Sequence, residues 1–466
     1  MSHPAGNGEA AAALREHDAV ADALVEIPPD GTEPVVHLVP DPNGAPMLHR
    51  AVAIEAAGRL GALAWHEPAD DLRVAGLNRS ETDFLHREIF LDNAYFRHGI
   101  VLPGDAVVVD AGANIGMFTL YAARHRPATR FVAIEPVAEL AAAVAVNAEL
   151  YGLDVTVVES GLGSAVGEMD FTFYPRNSVM SGAHADAEED LRSLHSYLLT
   201  GAGDDNGDGL DRLATDRLAV EHRRIPVTTL AEVAAEHGLD RIDLLKIDVE
   251  KAEAEVLEGI DSTLWEGIRQ IVMEVHDTGG RLASVVASLE RKGFTVSHEQ
   301  DPRLTGTPCV NVFARRPDGP TRMTPARATA TGPTLRRLEA ELRDLLARRV
   351  PGLAPPRRFV LACGLDGIAA RSTTVAHGAV PHTARTDVFT RLWAGIFGPE
   401  AVRPDADFFD LGGDSLTAMR LLVQLEEELG EDALEPDMIF TTSTFAELAA
   451  AVQASGHDPS LADRPV

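Results

Sequence analysis

The 466-residue chain predicts two to four domains at roughly 100–200 residues each, and its 45 % apolar residues suffice for buried cores. A formal net charge of −31 repels phosphate backbones and argues against nucleic acid as a partner. Two cysteines, Cys309 and Cys363, with no CxxC pair or Cys/His cluster, support neither a disulfide framework nor a zinc site. The N-terminus, MSHPAGNGEA, has no basic start before an apolar core, and no run approaches about 18 apolar residues, so a soluble cytoplasmic protein without membrane contact is expected.

In chain order, residues 9–26 are Ala/Leu-rich and predict helix, and PVVHLVP (34–40) predicts a strand. Strands and helices then alternate. AVVVDA (106–111), RFVAIEP (130–136), VTVVES (155–160), IDLLKIDVE (242–250) and IRQIVMEVHD (268–277) read as strands. GMFTLYAARH, AELAAAVAVNAELYG and AEAEVLEGI read as helices between them. This βαβα rhythm implies a Rossmann-like α/β fold, a mostly parallel sheet with helices on both faces. FTVSH (294–298) and CVNVFARR (309–316) are closing strands. An acidic, Gly/Asp-rich insertion at 184–211 interrupts the rhythm and reads as a lid or a solvated excursion. After a linker at 317–333, TLRRLEAELRDLLARRV places Leu335, Leu338, Leu342, Leu345 and Leu346 on one helical face. Short helices at 387–397, 415–429 and 444–453 close the chain, before a tail expected to be disordered.

The turn VVVDAGANIGMFTL carries the first chemistry. Asp110 ends a strand, and Gly112, Ala113, Asn114 and Gly116 lead into a helix. Small residues let backbone approach a ligand, and strand C-termini are where open α/β sheets bind ligands. A dinucleotide turn wants GxGxxG facing a pyrophosphate; an acidic strand end instead suits the sulfonium and ammonium of S-adenosylmethionine. Glu135 ends the next strand, twenty-five residues on, where a carboxylate accepts both ribose hydroxyls. Downstream, Asp248, Glu250, Glu274 and His276 gather at two further strand ends. His276 or Asp248 is the candidate base, with Glu250 and Glu274 orienting. Ion pairing of Lys246, Glu250 and Glu253 at the strand–helix corner is the competing structural explanation. No metal is assigned, because a carboxylate pair alone does not establish one. In YPRNSVMSG (174–182), Asn177 and Ser178 are read as lining the acceptor side.

Residues from about 80 to 316 resemble the FkbM-type methyltransferases, whose pattern D-x-G-A-N-x-G, I-E-P, K-I-D-V-E-G-x-E-x-x-V-L-x-G and E-V-H is matched nearly throughout. Lys251 departs from it, standing where the family usually has Gly. The resemblance implies S-adenosylmethionine-dependent methyl transfer, mostly to oxygen.

Near the C-terminus, DFFDLGGDSLTAMRL places Ser415 after G-G-D at a helix start, where a phosphate ester is favoured by free N–H groups and the macrodipole. Residues 386–454 resemble peptidyl and acyl carriers, which implies a small helical bundle of four helices and a 4′-phosphopantetheine arm on Ser415, attached by a phosphopantetheinyl transferase. Residues 8–42 and 342–365 resemble the two parts of a nonribosomal peptide adenylation C-terminal subdomain, split by the methyltransferase. The lysine of that family's N-G-K-x-D-R motif has no counterpart near LDGIAARS, where Ile368 stands, so a separate adenylation enzyme or synthetase module is expected to load the carrier. The expected domains are 1–45 and 334–380 (the split subdomain), 46–316 (methyltransferase), 317–333 (linker), 385–455 (carrier) and 456–466 (tail). The expected activity is O-methylation of a group tethered to Ser415. N-methylation of a tethered amine, or a carrier with an inactive methyltransferase fold, are the alternatives.

Overall fold

The computed structural model describes residues 4–26, 34–125, 129–175, 177–185, 220–301, 304–305, 307–320, 332–356, 358–365, 382–398, 401–404, 406–408, 411, 415–430, 433–434, 438–439 and 444–455. The described residues up to 364 form one compact unit, and those beyond form a second.

The first unit opens with helix Pro4–Leu14 and strands β1 (Val20–Glu26) and β2 (Val35–Pro40), which pair antiparallel. The expected helix over 9–26 therefore ends early. Pairing with β2 and a burial pattern in which Val20, Ala23 and Val25 turn inward override the helix propensity of the Ala/Leu-rich text. Chain returning from beyond residue 330 completes this layer. Strand β15 (Arg358–Leu361) adds parallel to β2, and helix Leu335–Arg349 packs Leu338, Leu342 and Leu346 against Ala10, Leu14 and Val36. Each buried leucine contributes about 2 kcal/mol. Segments some 300 residues apart thus share one small core, with the rest of the unit inserted between them.

The insertion is tied to this platform by hydrogen bonds. Strands β3 (Ala64–Ala69) and β4 (Leu72–Gly76) form a hairpin whose Glu67 accepts from the backbone N–H groups of Leu335 and Arg336, at 3.1 Å each. These are unsatisfied donors at the start of helix Leu335–Arg349, and a carboxylate there also meets the positive end of the helix dipole. Arg73 holds Glu67 at 2.6 Å, and Thr334 Oγ1 donates to the Asp70 carbonyl at 2.8 Å.

A seven-stranded sheet forms the centre of the insertion. Its strands are β5 (Val107–Ala111), β6 (Arg130–Ile134), β7 (Val155–Val158), β11 (Leu244–Ile247), β12 (Gln270–His276), β13 (Thr295–Glu299) and β14 (Cys309–Arg315), in the order β13-β14-β12-β11-β5-β6-β7. From β12 to β7 all neighbours are parallel, and β14 runs antiparallel to both β12 and β13. This is the expected α/β architecture. The chain steps outward from β5 to β7, then restarts on its other side at β11. The crevice at the C-terminal ends of β5 and β11 is therefore the switch point where such sheets bind ligands. A smaller sheet, β8 (Gly161–Leu162), β10 (Glu221–Thr228) and β9 (Gly167–Phe173), was not expected from the sequence.

The second unit contains helices His382–Phe397, Ser415–Leu429 and Phe445–Ser455, packed through Phe389, Trp393, Phe408, Leu421, Leu425 and Leu448. These are the three long helices among its described residues; the expected fourth is not tested by them. No helix among the described residues is long and apolar enough to cross a membrane. Most of the expected lid, most of the linker, the stretch around Ile368 and the tail fall outside the described residues.

Candidate functional site

The turn after β5 is built by close approach. Gly112 has φ +74°, and a Cβ there would lie 1.8 Å from the Asp248 carbonyl oxygen. Only glycine fits both demands. The turn hangs from the neighbouring strands: Gly112 and Ala113 N–H donate to the Ile134 carbonyl at 3.0 and 3.1 Å, and Asp248 N–H donates to Ala111 at 3.0 Å. Asn114 is left-handed at φ 50° and Gly116 at φ +85°. Asn114 N–H and Val137 N–H each donate to one oxygen of Glu135, at 2.8 and 3.0 Å. Burial nevertheless pushes the Glu135 carboxyl up to about 7, against those two donors.

Asp110 differs from its expected place. It is completely buried, with Oδ2 accepting from Thr119 Oγ1 at 2.8 Å and Oδ1 lying 3.2 Å from Lys246 Nζ. It supports the turn from beneath and offers no exposed oxygen to a ligand. Lys246, also buried, donates to the Gly112 carbonyl at 2.6 Å and lies 3.6 Å from Asp248 Oδ2. Burial alone pulls an ammonium down, but Asp110 and Asp248 outweigh it and raise its pKa. Burial pushes the Asp110 carboxyl up.

The second cluster sits beyond the ends of β11 and β12. Tyr95, buried, donates to Asp248 Oδ2 at 2.9 Å. His276 Nδ1 lies 2.8 Å from Glu253 Oε1, and Nε2 lies 3.3 Å from Glu250 and 3.8 Å from Glu274. Burial pulls the imidazole down, yet the Cys309 thiol and the Glu250 and Glu253 carboxylates outweigh it and raise its pKa. Burial, with the charge of Asp248, pushes the Glu274 carboxyl well above its ordinary range. The expectation that His276 is a base thus meets a ring whose two nitrogens both face carboxylates. Glu250 and Lys251 adopt φ 48° and 74°. Lys251 therefore occupies a left-handed position that favours glycine, which accounts for the residue usual in that motif.

The structure brings Gly112, Ala113, Asn114, Gly116 and Glu135 to one turn, and Asp248, Glu250, Glu274 and His276 to the adjoining corner. The Gly112–Asp248 approach joins the two groups. Residues 177–182 reach both: Ser178 Oγ accepts from Asn114 Nδ2 at 2.8 Å, and Gly182 packs against Glu250. Ser178 is therefore a buttress of the cofactor turn, where it was expected to line the acceptor side; it also bonds to buried Glu81. Tyr95 and Glu81 escaped sequence reasoning, because they reach the site only through the fold. Ser415 begins helix Ser415–Leu429 of the second unit.

The family model for the methyltransferase FkbM domain matches residues 110–296. The 31-O-demethyl-FK506 methyltransferase FkbM of Streptomyces tacrolimicus is 43% identical over 249 residues, 53% of this chain and 94% of that protein. The chain belongs to the FkbM methyltransferase family. Methyltransferase sdnD of Sordaria araneosa is 34% identical over 244 residues, 50% of this chain and 89% of that protein. The model for a phosphopantetheine attachment site matches residues 387–452. The AMB antimetabolite synthetase AmbE of Pseudomonas aeruginosa is 37% identical over 459 residues, which cover 90% of this chain and 21% of AmbE. The chain thus spans about a fifth of that relative. S-adenosylmethionine and 4′-phosphopantetheine are the cofactors of the two domains. The turn fits the first of these at Glu135, where each carboxylate oxygen accepts a single N–H, leaving acceptor capacity for a ribose diol.

Proposed function

We propose that this chain transfers a methyl group from S-adenosylmethionine to a hydroxyl of an amino acid or acyl group held as a thioester on its own Ser415 arm, in nonribosomal peptide biosynthesis. The observation that carries this reading is the union on one chain of a methyltransferase domain and a phosphopantetheine attachment domain. A tethered substrate meets the site at an effective concentration on the order of millimolar, without any new contact. Oxygen as acceptor is supported by the relative named for a 31-O-demethyl substrate.

When bound, the cofactor supplies an electrophilic methyl on a sulfonium. Displacement is in line, so positioning supplies much of the catalysis. Gly112 lets the turn close on the Asp248 backbone, Glu135 receives the ribose hydroxyls, and Asp110 with Lys246 holds the turn rigid from below. Asp248 accepts the proton of the acceptor hydroxyl. Its backbone abuts Gly112, its side chain is a quarter exposed, and Oδ1 carries no hydrogen bond among the described residues while Tyr95 fixes Oδ2. His276, Glu250 and Glu274 orient this corner.

The split layer of helix Pro4–Leu14, β1, β2, helix Leu335–Arg349 and β15 is read as an adenylation-subdomain remnant that carries the methyltransferase, with loading done by a partner synthetase module. Its support is the single sheet and core shared by chain segments at both ends of the insertion.

The test uses S-adenosylmethionine carrying a labelled methyl, with full-length protein whose arm has been attached and charged with a hydroxylated aminoacyl group. Label should reach wild-type protein and not Ser415→Ala, which should bind the cofactor normally. Equal labelling of the charged and the arm-free protein would overturn the reading.

A further inference from the structure

The corner beyond β11 and β12 gathers more negative donors than the proposed methyl transfer needs. Glu250, Glu274 and Asp248 bring carboxylate oxygens within 4.8 Å of one another, and Glu274, His276 and Cys309 form a second such group sharing Glu274. We propose that this corner binds a divalent metal ion, held by Glu250, Glu274 and Nε2 of His276, with Asp248 beside it. The proposal rests on the methyltransferase reading for the ion's task, not for its presence.

The acidic cluster alone would not point to a metal; the histidine does. Its side chain is 6 % exposed, and Nε2 is aimed into the cluster. The nearest oxygens to Nε2 lie at 3.3 Å (Glu250) and 3.8 Å (Glu274), an ion-pair contact longer than the usual range of about 2.7–3.2 Å for an N–H···O bond. Meanwhile Nδ1 donates to Glu253 at 2.8 Å. Glu253 is fully buried and is itself fixed by Arg281 at 3.1 Å and by Lys251 N–H at 2.9 Å. A carboxylate that locks one ring nitrogen and turns the other outward is the outer-shell arrangement of metal-binding histidines. The Glu274 carboxylate makes no hydrogen bond among the described residues and lies 3.8 Å from that same Nε2.

The spacing fits. Donors about 2.1 Å from a divalent ion stand roughly 3.0–3.5 Å apart at octahedral or tetrahedral angles. The observed separations of 3.3 and 3.8 Å need only a small contraction. Two carboxylates and an imidazole favour a first-row ion such as Mn²⁺, with affinity for both oxygen and nitrogen, over Mg²⁺. Placed next to Asp248, such an ion would hold the acceptor oxygen and ease loss of its proton.

The experiment is a Mn²⁺ titration of chelator-stripped full-length protein, followed by the loss of the free-ion electron paramagnetic resonance signal. A parallel titration with S-adenosylmethionine is read by calorimetry. The wild type should bind a single Mn²⁺ per chain, and Glu274→Gln and Glu250→Gln should each weaken it by about tenfold or more. Both variants should keep normal S-adenosylmethionine affinity, which shows that they are folded. Absence of stoichiometric Mn²⁺ binding to the wild type at millimolar concentration would overturn the proposal, as would unchanged binding by Glu274→Gln. Mn²⁺ binding in a protein that failed to bind S-adenosylmethionine would support the metal site while removing the methyltransferase reading.

Discussion

Glu135 makes the cofactor site sensitive to pH. Its carboxyl is buried and pushed up to about 7, and the proposed contact with the ribose diol needs the ionised form. At pH 6 roughly a tenth of Glu135 is ionised, and at pH 8 roughly nine-tenths. If the ionised form alone accepts the ribose hydroxyls, S-adenosylmethionine should bind about tenfold more tightly at pH 8 than at pH 6. Calorimetric titrations at pH 6, 7 and 8 read this directly. Glu135→Gln serves as the control: its affinity should be lower and should lose the part of the pH dependence that Glu135 supplies. The same group acts on stability with a definite sign. The folded protein keeps this proton up to about pH 7, whereas the unfolded chain releases it near its ordinary value of 4.5. Stability therefore falls as pH rises from the unfolded to the folded pKa, by roughly 3 kcal/mol in total from this group. A flat affinity between pH 6 and 8, or a slope that survives unchanged in Glu135→Gln, refutes the assignment.

Gly112→Ala places a Cβ 1.8 Å from a backbone oxygen at a positive φ, so denaturant unfolding should show a loss of about 3 kcal/mol or more, and S-adenosylmethionine should no longer raise the melting temperature. Lys246→Met leaves the buried Asp110 carboxylate without its cation and should cost about 3–5 kcal/mol. Adding Asp110→Asn to that variant should recover part of the loss in a double-mutant cycle, and strict additivity would contradict the pairing. Glu67→Gln should weaken the cap on helix Leu335–Arg349 by about 1 kcal/mol, seen as a lower midpoint in urea.

The cofactor turn was legible because its demands are local. Gly112 and Gly116 answer backbone geometry that a short stretch of text can reveal, and Glu135 follows at the end of the next strand. Asp248, Glu250, Glu274 and His276 were likewise marked by their position at strand ends. Partnership was not legible. Asp110 reads as a ligand-facing acid, but Lys246 and Thr119 claim it from inside the protein. Tyr95 reaches Asp248 from 153 residues away, and Glu81 reaches Ser178 across 97, so neither leaves a local pattern. The same non-locality explains β1. Residues Val20–Glu26 carry helix-forming text, but the partner strand and a core completed by chain from beyond residue 330 decide their conformation. Lys251 shows the converse: its φ of 74° was foreshadowed by the glycine usual in that motif.

The central claim is that the methyl acceptor rides on Ser415 of the same chain. The most direct test is the mass of the Ser415 peptide. The arm is attached, charged with a panel of hydroxylated and plain aminoacyl groups, and the protein is given S-adenosylmethionine. The account predicts the gain of a single methyl on a hydroxylated group, placed by fragmentation on a side-chain oxygen. A methyl on nitrogen, or no methyl on any charged group while the protein still binds the cofactor, would contradict it.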